Sequence, residues 1–307
     1  MNKFSYNDII YVGSSKPLIC RDGNIQYARS MDLNFITYNE LPDIVTSGRY
    51  FILDISVGWT TSEDMDLIEK FINKVNKKNI SIRLVDQFSH QRDKEVYLRM
   101  MKLSIDHDIP IIGTYEVNYY DLDVELILPY PYLESEEVHK PSRYRNLNRL
   151  ILTGADVKGI YPTREKLYGI SSHSGIIDTL RHPGYSGKGW NTGKIGNGYM
   201  RLLSNYSFMA CTTCVEDYEL LKYIECAEVG CIPVGDIPSS LKCELWRYII
   251  EIPREALNSA IEFDNWFSEM SRSCDIYRIS ASYRSIIKMM RGKELLKDRL
   301  LNYINSK

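Results

Sequence analysis

The chain has no long hydrophobic run. No window among its 307 residues approaches the roughly 18 consecutive apolar residues that a membrane-spanning helix needs. The N-terminal stretch, MNKFSYNDIIYVGSSKP, also lacks the continuous apolar segment of a secretory signal. We therefore expect a cytoplasmic protein without a transmembrane segment.

An excess of positive charge, a paired cysteine pattern and a dinucleotide fingerprint are also missing. The net charge of −2 and pI of about 6.3 give no broad basic face, so no nucleic-acid partner is expected. Seven irregularly spaced cysteines argue against a disulfide framework and for free thiols in a reducing compartment. No Gly-x-Gly-x-x-Gly follows a strand with an acid about twenty residues on, which disfavours a dehydrogenase or epimerase.

What the chain does contain is a globular composition, 44% hydrophobic and 25% charged, and alternating strand-like and helix-like segments. Apolar runs rich in branched residues predict strands, and capped segments with apolar residues at helical spacing predict helices. Alternation of this kind favours a mainly parallel, doubly wound sheet. In the first half the predicted strands are 49–59, 80–86, 109–116 and 123–132, and the predicted helices are 61–79 and 92–108.

The same pattern restarts after a polar segment with three prolines, 129–146. The fold class expected is therefore α/β with two Rossmann-like domains, 1–145 and 146–307, facing each other across a ligand cleft. The basic amphipathic tail, 282–307, predicts one helix that packs back on the first domain. The other elements predicted here are strands at 147–155, 231–236 and 245–253, a helix at 161–173, a helix-to-strand passage at 175–185, and a helix then a strand over 198–213.

The stretch CVEDYELLKYIECAEVGCIPVGD, Cys214 to Asp236, predicts an acidic helix followed by a turn and a strand. Thr212 and Thr213 precede it, and hydroxyls beside free helix N–H groups form a natural anion site. Asp217 and Glu225 are eight residues apart, which would place them on one face of that helix. A solvated acidic face is the structural alternative.

The segment KYIECAEVGCIPVGD resembles the R-x-[FY]-E-A-x-A-x-G-x-x-P-V motif of group 1-like glycosyltransferases with the GT-B fold. Glu225, Gly230 and Pro233 occupy the matching positions, while Lys222 replaces the commoner Arg and Cys226 the usual Ala. The resemblance implies that the second domain binds a nucleotide sugar and that Glu225 contacts its ribose. Asp217 stands where many members have the first acid of an E-x7-E pair.

Two further segments resemble parts of the same donor domain. In LILTGADVKGIYPTREKL, the resemblance implies that Gly154 lets the backbone approach a ligand and that Tyr161 and Arg164 introduce a helix, with Arg164 holding the donor diphosphate. In RHPGYSGKGW, His182 and Tyr185 would face the nucleotide or sugar. The alternatives are a glycine turn with a surface arginine, and a structural histidine.

No metal or cofactor is expected besides the nucleotide sugar as co-substrate. The CTTC motif, Cys211 to Cys214, has no second pair of ligands at zinc-binding spacing and is interpreted as coincidence. The DLD sequence, Asp121 to Asp123, precedes a strand of the first domain. A metal-independent mechanism is therefore predicted.

The function expected is transfer of a sugar from a nucleotide sugar to a glycan or other hydroxyl acceptor. Asp86 and His90, just beyond a predicted strand, are the candidates for the general base, with loop capping as their structural alternative. Inversion or retention stays open. The non-enzymatic alternative is a sugar-binding or scaffold protein that has kept the fold and lost turnover.

Overall fold

The computed structural model describes residues 3–14, 24–55, 60–84, 94–115, 123–134, 145–181, 196–215, 217–239 and 246–307. The chain divides into two compact units. The first comprises Met1–Pro131 with Arg291–Lys307, and the second comprises Tyr132–Met290. The predicted functional division at residue 145 stays a prediction, as does a cleft between the two domains.

A six-stranded sheet forms the first unit. Its strand order is β2-β1-β3-β4-β5-β6, and every neighbouring pair is parallel. The strands are β1 (Ile9–Gly13), β2 (Asn34–Thr37), β3 (Tyr50–Ile55), β4 (Ile80–Leu84), β5 (Ile111–Gly113) and β6 (Val124–Ile127).

In the described part of the first unit, the helices between these strands are α1 (Asn24–Ser30), α2 (Ser62–Ile72) and α3 (Lys94–His107). Helix α2 begins where the sequence predicts, since Thr61 accepts a hydrogen bond from the Asp64 N–H and the Asp64 carboxylate bonds back to the Thr61 N–H. Its apolar stripe and that of α3 bury one face of the sheet in a single core.

The opposite face of this sheet is unusually polar for a parallel sheet, in which strands buried on both faces are normally apolar throughout. The register pairs Tyr11 with Ile52 and Asp54 with Arg83, and side chains two residues apart on a strand share a face. Tyr50 and Ser81 are hydrogen-bonded on the same face. Tyrosines and one ion pair therefore replace part of the usual aliphatic core.

The C-terminal tail forms two helices, α8 (Ile276–Arg291) and α9 (Lys293–Ser306), where one was predicted. The break falls at Gly292, which serves as the N-cap of α9. Helix α9 belongs to the first unit, where Asn305 exchanges two hydrogen bonds with the Phe4 backbone, at 2.8 and 3.1 Å, and Lys293 pairs with Asp32 at 2.6 Å.

A five-stranded sheet, again with every neighbouring pair parallel, forms the second unit, in the order β11-β10-β9-β7-β8. Its strands are β7 (Asn146–Gly154), β8 (Ile177–Arg181), β9 (Tyr206–Cys211), β10 (Ile232–Gly235) and β11 (Ile250–Glu251). Its helices, besides α8, are α4 (Pro162–Ser171), α5 (Gly196–Leu203), α6 (Leu221–Glu228) and α7 (Ala260–Ser273).

Both faces of this second sheet are covered. On β9, Met209 and Cys211 join a core with α5, α6 and α8, while Phe208 and Ala210 join a second core with α4 and α7. Such two-sided burial accounts for the continuous apolar runs in the sequence. The predicted fold class, two Rossmann-like α/β units on parallel sheets, is confirmed.

The structure corrects two local predictions and adds several elements. The passage before β8 is a turn and bend rather than a helix. The acidic helix begins at Leu221 and not near Cys214, so Thr212, Thr213 and Asp217 all precede it. Elements that the sequence analysis did not identify are β1, β2, α1 and α7.

Candidate functional site

The candidate site lies at the carboxyl ends of the strands of the second unit. Strand β7 pairs with β8 on one side and β9 on the other, so the strand order reverses between β7 and β9. Ligands of open α/β sheets bind outside the carboxyl ends at such a reversal. Gly154 ends β7, and Thr212 and Thr213 follow β9, so three residues of the sequence prediction meet here.

Arg164 spans this reversal point. Its position in the first turn of α4 follows from Pro162, which begins the helix. The buried guanidinium donates from Nε to Thr212 Oγ1 and from Nη1 to the Ala155 carbonyl, each at 3.1 Å. The Tyr161 ring covers it, with its centroid 4.1 Å from Cζ. Arg164 thus joins the ends of β7 and β9, and its Nη2 has no hydrogen-bonding partner in the part of the chain that is described.

Gly154 is a position that only glycine suits. Its φ is +104°, and a Cβ built there would lie 2.8 Å from Arg164 Nη1. The space beside the Gly154 backbone is therefore occupied by the chain's own guanidinium. Tyr168 also donates to the Gly154 carbonyl at 3.0 Å. A direct ligand contact at Gly154 stays a prediction.

Thr213 contacts a carboxylate. Its N–H donates to Asp236 Oδ2 at 2.9 Å, its hydroxyl does so at 3.3 Å, and Thr163 Oγ1 donates to Oδ1 at 2.7 Å. Burial raises the pKa of Asp236 above its ordinary value, although these hydrogen bonds oppose the shift. The expectation that Thr212 and Thr213 directly precede the acidic helix was wrong, because the helix begins at Leu221. Their role in anion binding stays a prediction.

Asp217 lies in the turn before that helix. Its φ is +53°, its N–H donates to the Cys214 carbonyl at 2.9 Å, and its carboxylate accepts the Ser239 hydroxyl. The expectation that Asp217 and Glu225 share one helix face was therefore wrong, since only Glu225 is helical.

Lys222 and Glu225 form the center of a second group of side chains, which we call the Lys222 cluster and define as Thr153, Tyr199, Lys222 and Glu225. Lys222 Nζ donates to Glu225 Oε2 at 2.6 Å and to the Tyr199 hydroxyl at 2.8 Å. The same hydroxyl lies 3.3 Å from Glu225 Oε2 and 3.0 Å from Thr153 Oγ1. A lysine, a carboxylate and a phenol thus meet beside the carboxyl end of β7.

Electrostatics in the Lys222 cluster favour the charged pair. Desolvation lowers the pKa of Lys222, but the Glu225 carboxylate and the Tyr199 hydroxyl together outweigh it and leave the pKa above its ordinary value. Burial and then the Glu225 charge raise the pKa of Tyr199 to about 12. At neutral pH Lys222 is therefore an ammonium and Tyr199 a neutral phenol.

The motif around this cluster shapes helix α6. Its N-cap, Leu220, provides no side-chain hydrogen bond, which leaves first-turn N–H groups without a capping side chain. At the other end, Gly230 has φ +68° and Arg145 donates to the carbonyls of Val229 and Gly230. The Gly and Pro-Val of the motif therefore close the helix and start β10.

Several predicted residues lie outside the residues that the structure describes. They are the candidate bases Asp86 and His90, and the ligand candidates His182 and Tyr185. Their roles stay predictions. Conversely, sequence reasoning did not identify Thr153, Thr163, Tyr199 or Asp236. Position after a strand could have indicated Asp236, whereas nothing local marks Tyr199.

Neither a metal cluster nor a membrane helix is found in the described ranges. There, no group of three or more His, Cys, Asp and Glu side chains could hold a metal ion. Cys211 and Cys214 are buried thiols that form no disulfide. None of the described helices is long and apolar enough to cross a bilayer.

Comparisons with known proteins give structural likenesses alone. No protein-family model and no curated protein matches the chain. Similar solved structures include TarM, at 11% identity and a TM-score of 0.46, with 94% of this chain and 56% of that chain covered. A point variant of Staphylococcus aureus TarM, in complex with fondaparinux, α-GlcNAc-glycerol and UDP, is similar at 12% identity, a TM-score of 0.44 and coverage of 94% and 57%. The chain spans little more than half the length of these proteins, and likenesses this distant assign neither a family nor an activity.

Proposed function

We propose that the protein is a glycosyltransferase that moves a sugar from a nucleotide-sugar donor to a glycan or other hydroxyl acceptor. The observation that carries the proposal is the Lys222 cluster, because the two charged residues of the glycosyltransferase-like motif meet there beside the carboxyl end of β7, where the strand order of the second sheet reverses.

Unused hydrogen-bonding capacity in the cluster suits a nucleotide sugar. Both hydrogen bonds to the Glu225 side chain end on Oε2, and Oε1 has no partner among the described residues. A carboxylate oxygen of this kind can accept a ribose hydroxyl. Lys222 has three donors, of which Tyr199 and Glu225 use two, so one is left for a phosphate oxygen. First-turn N–H groups of α6 add donors of the same kind.

Fixed positive charge would stabilise the leaving group. As the glycosidic bond to the nucleotide breaks, negative charge grows on the diphosphate, and a preorganised cation there lowers the barrier. Lys222 and Arg164 are the proposed cations, which makes a metal ion unnecessary to the proposed step. The base that deprotonates the acceptor would come from the first domain, with Asp86 and His90 as candidates.

A panel of nucleotide sugars tests this function. Thermal shift measures donor binding, and release of free nucleotide measures hydrolysis or transfer. We expect one donor both to stabilise the protein and to be consumed. Binding without consumption would instead favour a sugar-binding or scaffold protein in the cytoplasm, and no response to any donor would refute the proposal.

Three variants test the assigned cations. Lys222→Ala and Arg164→Ala should each weaken donor binding or turnover by about tenfold or more, the loss expected for a hydrogen bond to a charged group. Arg149→Ala is the matched control, because Arg149 lies in the amino half of β7 and pairs with Asp178 instead. Unchanged kinetics in both test variants would contradict the phosphate roles.

A further inference from the structure

Arg83 lies on a strand of the first unit and is fully buried, which is unusual for an arginine. It lies one residue before the end of β4, opposite Asp54 of β3, and neither residue has any exposed side-chain surface. A buried charge is normally paired and fully hydrogen-bonded, because desolvation is otherwise costly. The question is which of its donors are used.

Among the described residues, only one of the three guanidinium nitrogens has a hydrogen-bonding partner. Nη1 donates to the Tyr11 hydroxyl at 2.9 Å and to Asp54 Oδ2 at 3.0 Å. Nε and Nη2 are both buried and have no hydrogen-bonding partner among the described residues. The Tyr27 ring covers the face of the group, with its centroid 3.6 Å from Cζ. The face is therefore packed, while two donors on the edge are unsatisfied.

Those two donors lie on the same edge. Nε–H and the neighbouring Nη2–H of a guanidinium point in one direction and form a planar fork that matches two oxygens of a carboxylate or phosphate. A ring stacked on the face does not block approach in the plane. One acceptor atom, such as a water oxygen, meets the fork less completely than a two-oxygen anion does.

Arg99 of the same unit has this edge occupied. Its Nε donates to Glu69 Oε1 at 2.9 Å and its Nη2 to Asp66 Oδ1 at 2.6 Å. In Arg99, two carboxylates therefore occupy the edge of the guanidinium that has no partner in Arg83 among the described residues. Among described residues, the carboxylate nearest to Arg83 in the register is Asp54, and it bonds to Nη1.

The topology places Arg83 where ligands of such sheets bind. The strand order β2-β1-β3 reverses between β1 and β3, and these two strands carry Tyr11 and Asp54. Arg83 follows on the next strand, near its carboxyl end. Binding crevices form outside the carboxyl ends at such reversals.

We propose that Arg83 anchors an anion-binding site in the first unit, which takes a carboxylate or phosphate group of a ligand through Nε and Nη2. Tyr11 and Asp54 hold the guanidinium through Nη1, and Tyr27 fixes its plane. In the single step that rests on the proposed function, the anion belongs to the acceptor, which would then be an acidic glycan or glycoconjugate.

Titration of the full-length protein tests the site directly. The Nε–H signals of arginine side chains are recorded by proton–nitrogen correlation NMR while acetate, phosphate or chloride is added at constant ionic strength. We expect one signal to shift saturably with acetate or phosphate and not with chloride. The signal is assigned by its loss in Arg83→Lys, which keeps the charge and removes the fork, and this variant should weaken anion binding about tenfold or more.

Arg99→Lys is the matched control, and it should leave the saturable shift unchanged. Absence of a saturable shift, or an equal shift in a signal that survives Arg83→Lys, would overturn the proposal. Should Arg83→Lys not fold, crystals of the unaltered protein soaked in acetate or phosphate decide. An oxyanion bonded to both nitrogens supports the site, and water alone overturns it.

The identity of the ligand has a separate test. Turnover with acidic and neutral acceptors is compared once a donor is known, and preference for acidic acceptors should fall in Arg83→Lys. The NMR titration needs no donor, so a failure of the proposed glycosyltransferase function and a failure of the anion site are distinguishable.

Discussion

Each unit holds a cation beside a carboxylate, and the two units differ in how far this pair is exposed. The Arg83 cluster, defined as Tyr11, Tyr27, Asp54 and Arg83, and the Lys222 cluster each join a cation, a carboxylate and tyrosine in the carboxyl half of a parallel sheet. Arg83 and Asp54 have 0% of their side-chain surface exposed, whereas Lys222 and Glu225 have 17% and 6%. The first pair is fully buried, and the second is partly exposed.

The difference follows from the elements that carry the cations. Arg83 is a strand residue whose neighbours on β1 and β3 fix it from the side. Lys222 is in the first turn of α6, where Glu225 and Tyr199 hold its ammonium group. A rigid fork suits recognition of a planar anion, and an ammonium point charge held in place suits a phosphate that gains negative charge during reaction.

The largest effect is expected from breaking the buried Arg83–Asp54 pair. Asp54→Asn leaves the Arg83 charge buried without its counterion, so the free energy of unfolding of the first unit should fall by about 3–5 kcal/mol. Denaturant unfolding measures the change. Asp66→Asn is the control, because Asp66 is 59% exposed where it pairs with Arg99 and should cost under about 1 kcal/mol.

Replacing both members of that pair separates the cost of burying the two charges from the attraction between them. Asp54→Leu combined with Arg83→Met removes both charges and should recover most of the lost stability, since apolar replacements of buried pairs are often near neutral. An equal loss in the free energy of unfolding for Asp54→Asn and Asp66→Asn would contradict the claim that the Arg83–Asp54 pair is buried.

Most of the first unit follows from the sequence, but the Arg83 cluster does not. In the sequence of helix α2, the cap, the first-turn acids and the apolar stripe are all recognisable, and β3 and β4 are apolar runs. Strand β1 was missed because IIYVG is short and is flanked by no clear helical pattern. An arginine inside the run ISIRL requires a buried partner, yet only the register of β3 and β4 identifies Asp54.

In the second unit, the motif indicated Lys222 and Glu225, but local rules misplaced the start of their helix. The five carboxylates of residues 214–228, preceded by Thr212 and Thr213, look like an acidic helix, whereas Asp217 adopts a left-handed turn and Thr213 bonds to Asp236. Contacts between distant elements overrode those local preferences. Tyr199 joins the cluster from α5, and no spacing rule connects it with Lys222.

Breaking the partly exposed Lys222–Glu225 pair should cost less stability. Lys222→Met leaves the Glu225 side chain with Tyr199 as its remaining hydrogen-bonding partner among the described residues, and we expect the second unit to lose about 1–3 kcal/mol, the penalty of an unsatisfied polar group. Lys288→Met is the control, since both side chains of the Lys288–Glu134 pair are more than half exposed. A loss for Lys222→Met as large as that for Asp54→Asn would remove the distinction between the clusters.

A smaller change tests whether Tyr199 positions the pair. Tyr199→Phe removes the hydroxyl that bonds Lys222 and Thr153 and should cost about 1 kcal/mol. Donor affinity should fall as well, because Lys222 and Glu225 lose a shared support. Tyr168→Phe, which removes the hydrogen bond to the Gly154 carbonyl, should leave Lys222 in place and affect donor affinity less.

The smallest effect is a shift in a tyrosine titration, and it compares the two units directly. Burial and then the Glu225 charge raise the pKa of Tyr199 to about 12, whereas burial alone raises the pKa of Tyr50 in the first unit to about 12. Glu225→Gln should therefore lower the pKa of Tyr199 and leave that of Tyr50 unchanged. Tyrosinate absorbance measures both, with Tyr199→Phe and Tyr50→Phe to assign the signals.

The sign of the stability change follows from the same values. The ordinary pKa of tyrosine is 10.0, so the unfolded chain releases the Tyr199 proton before the folded protein does. The contribution of Tyr199 is complete below pH 10 and is lost as the pH rises toward about 12. In Glu225→Gln the loss from Tyr199 should be complete at a lower pH. An unchanged dependence of stability on alkaline pH would mean that burial alone raises the pKa of Tyr199. Tyr199 would then resemble Tyr50 of the first unit.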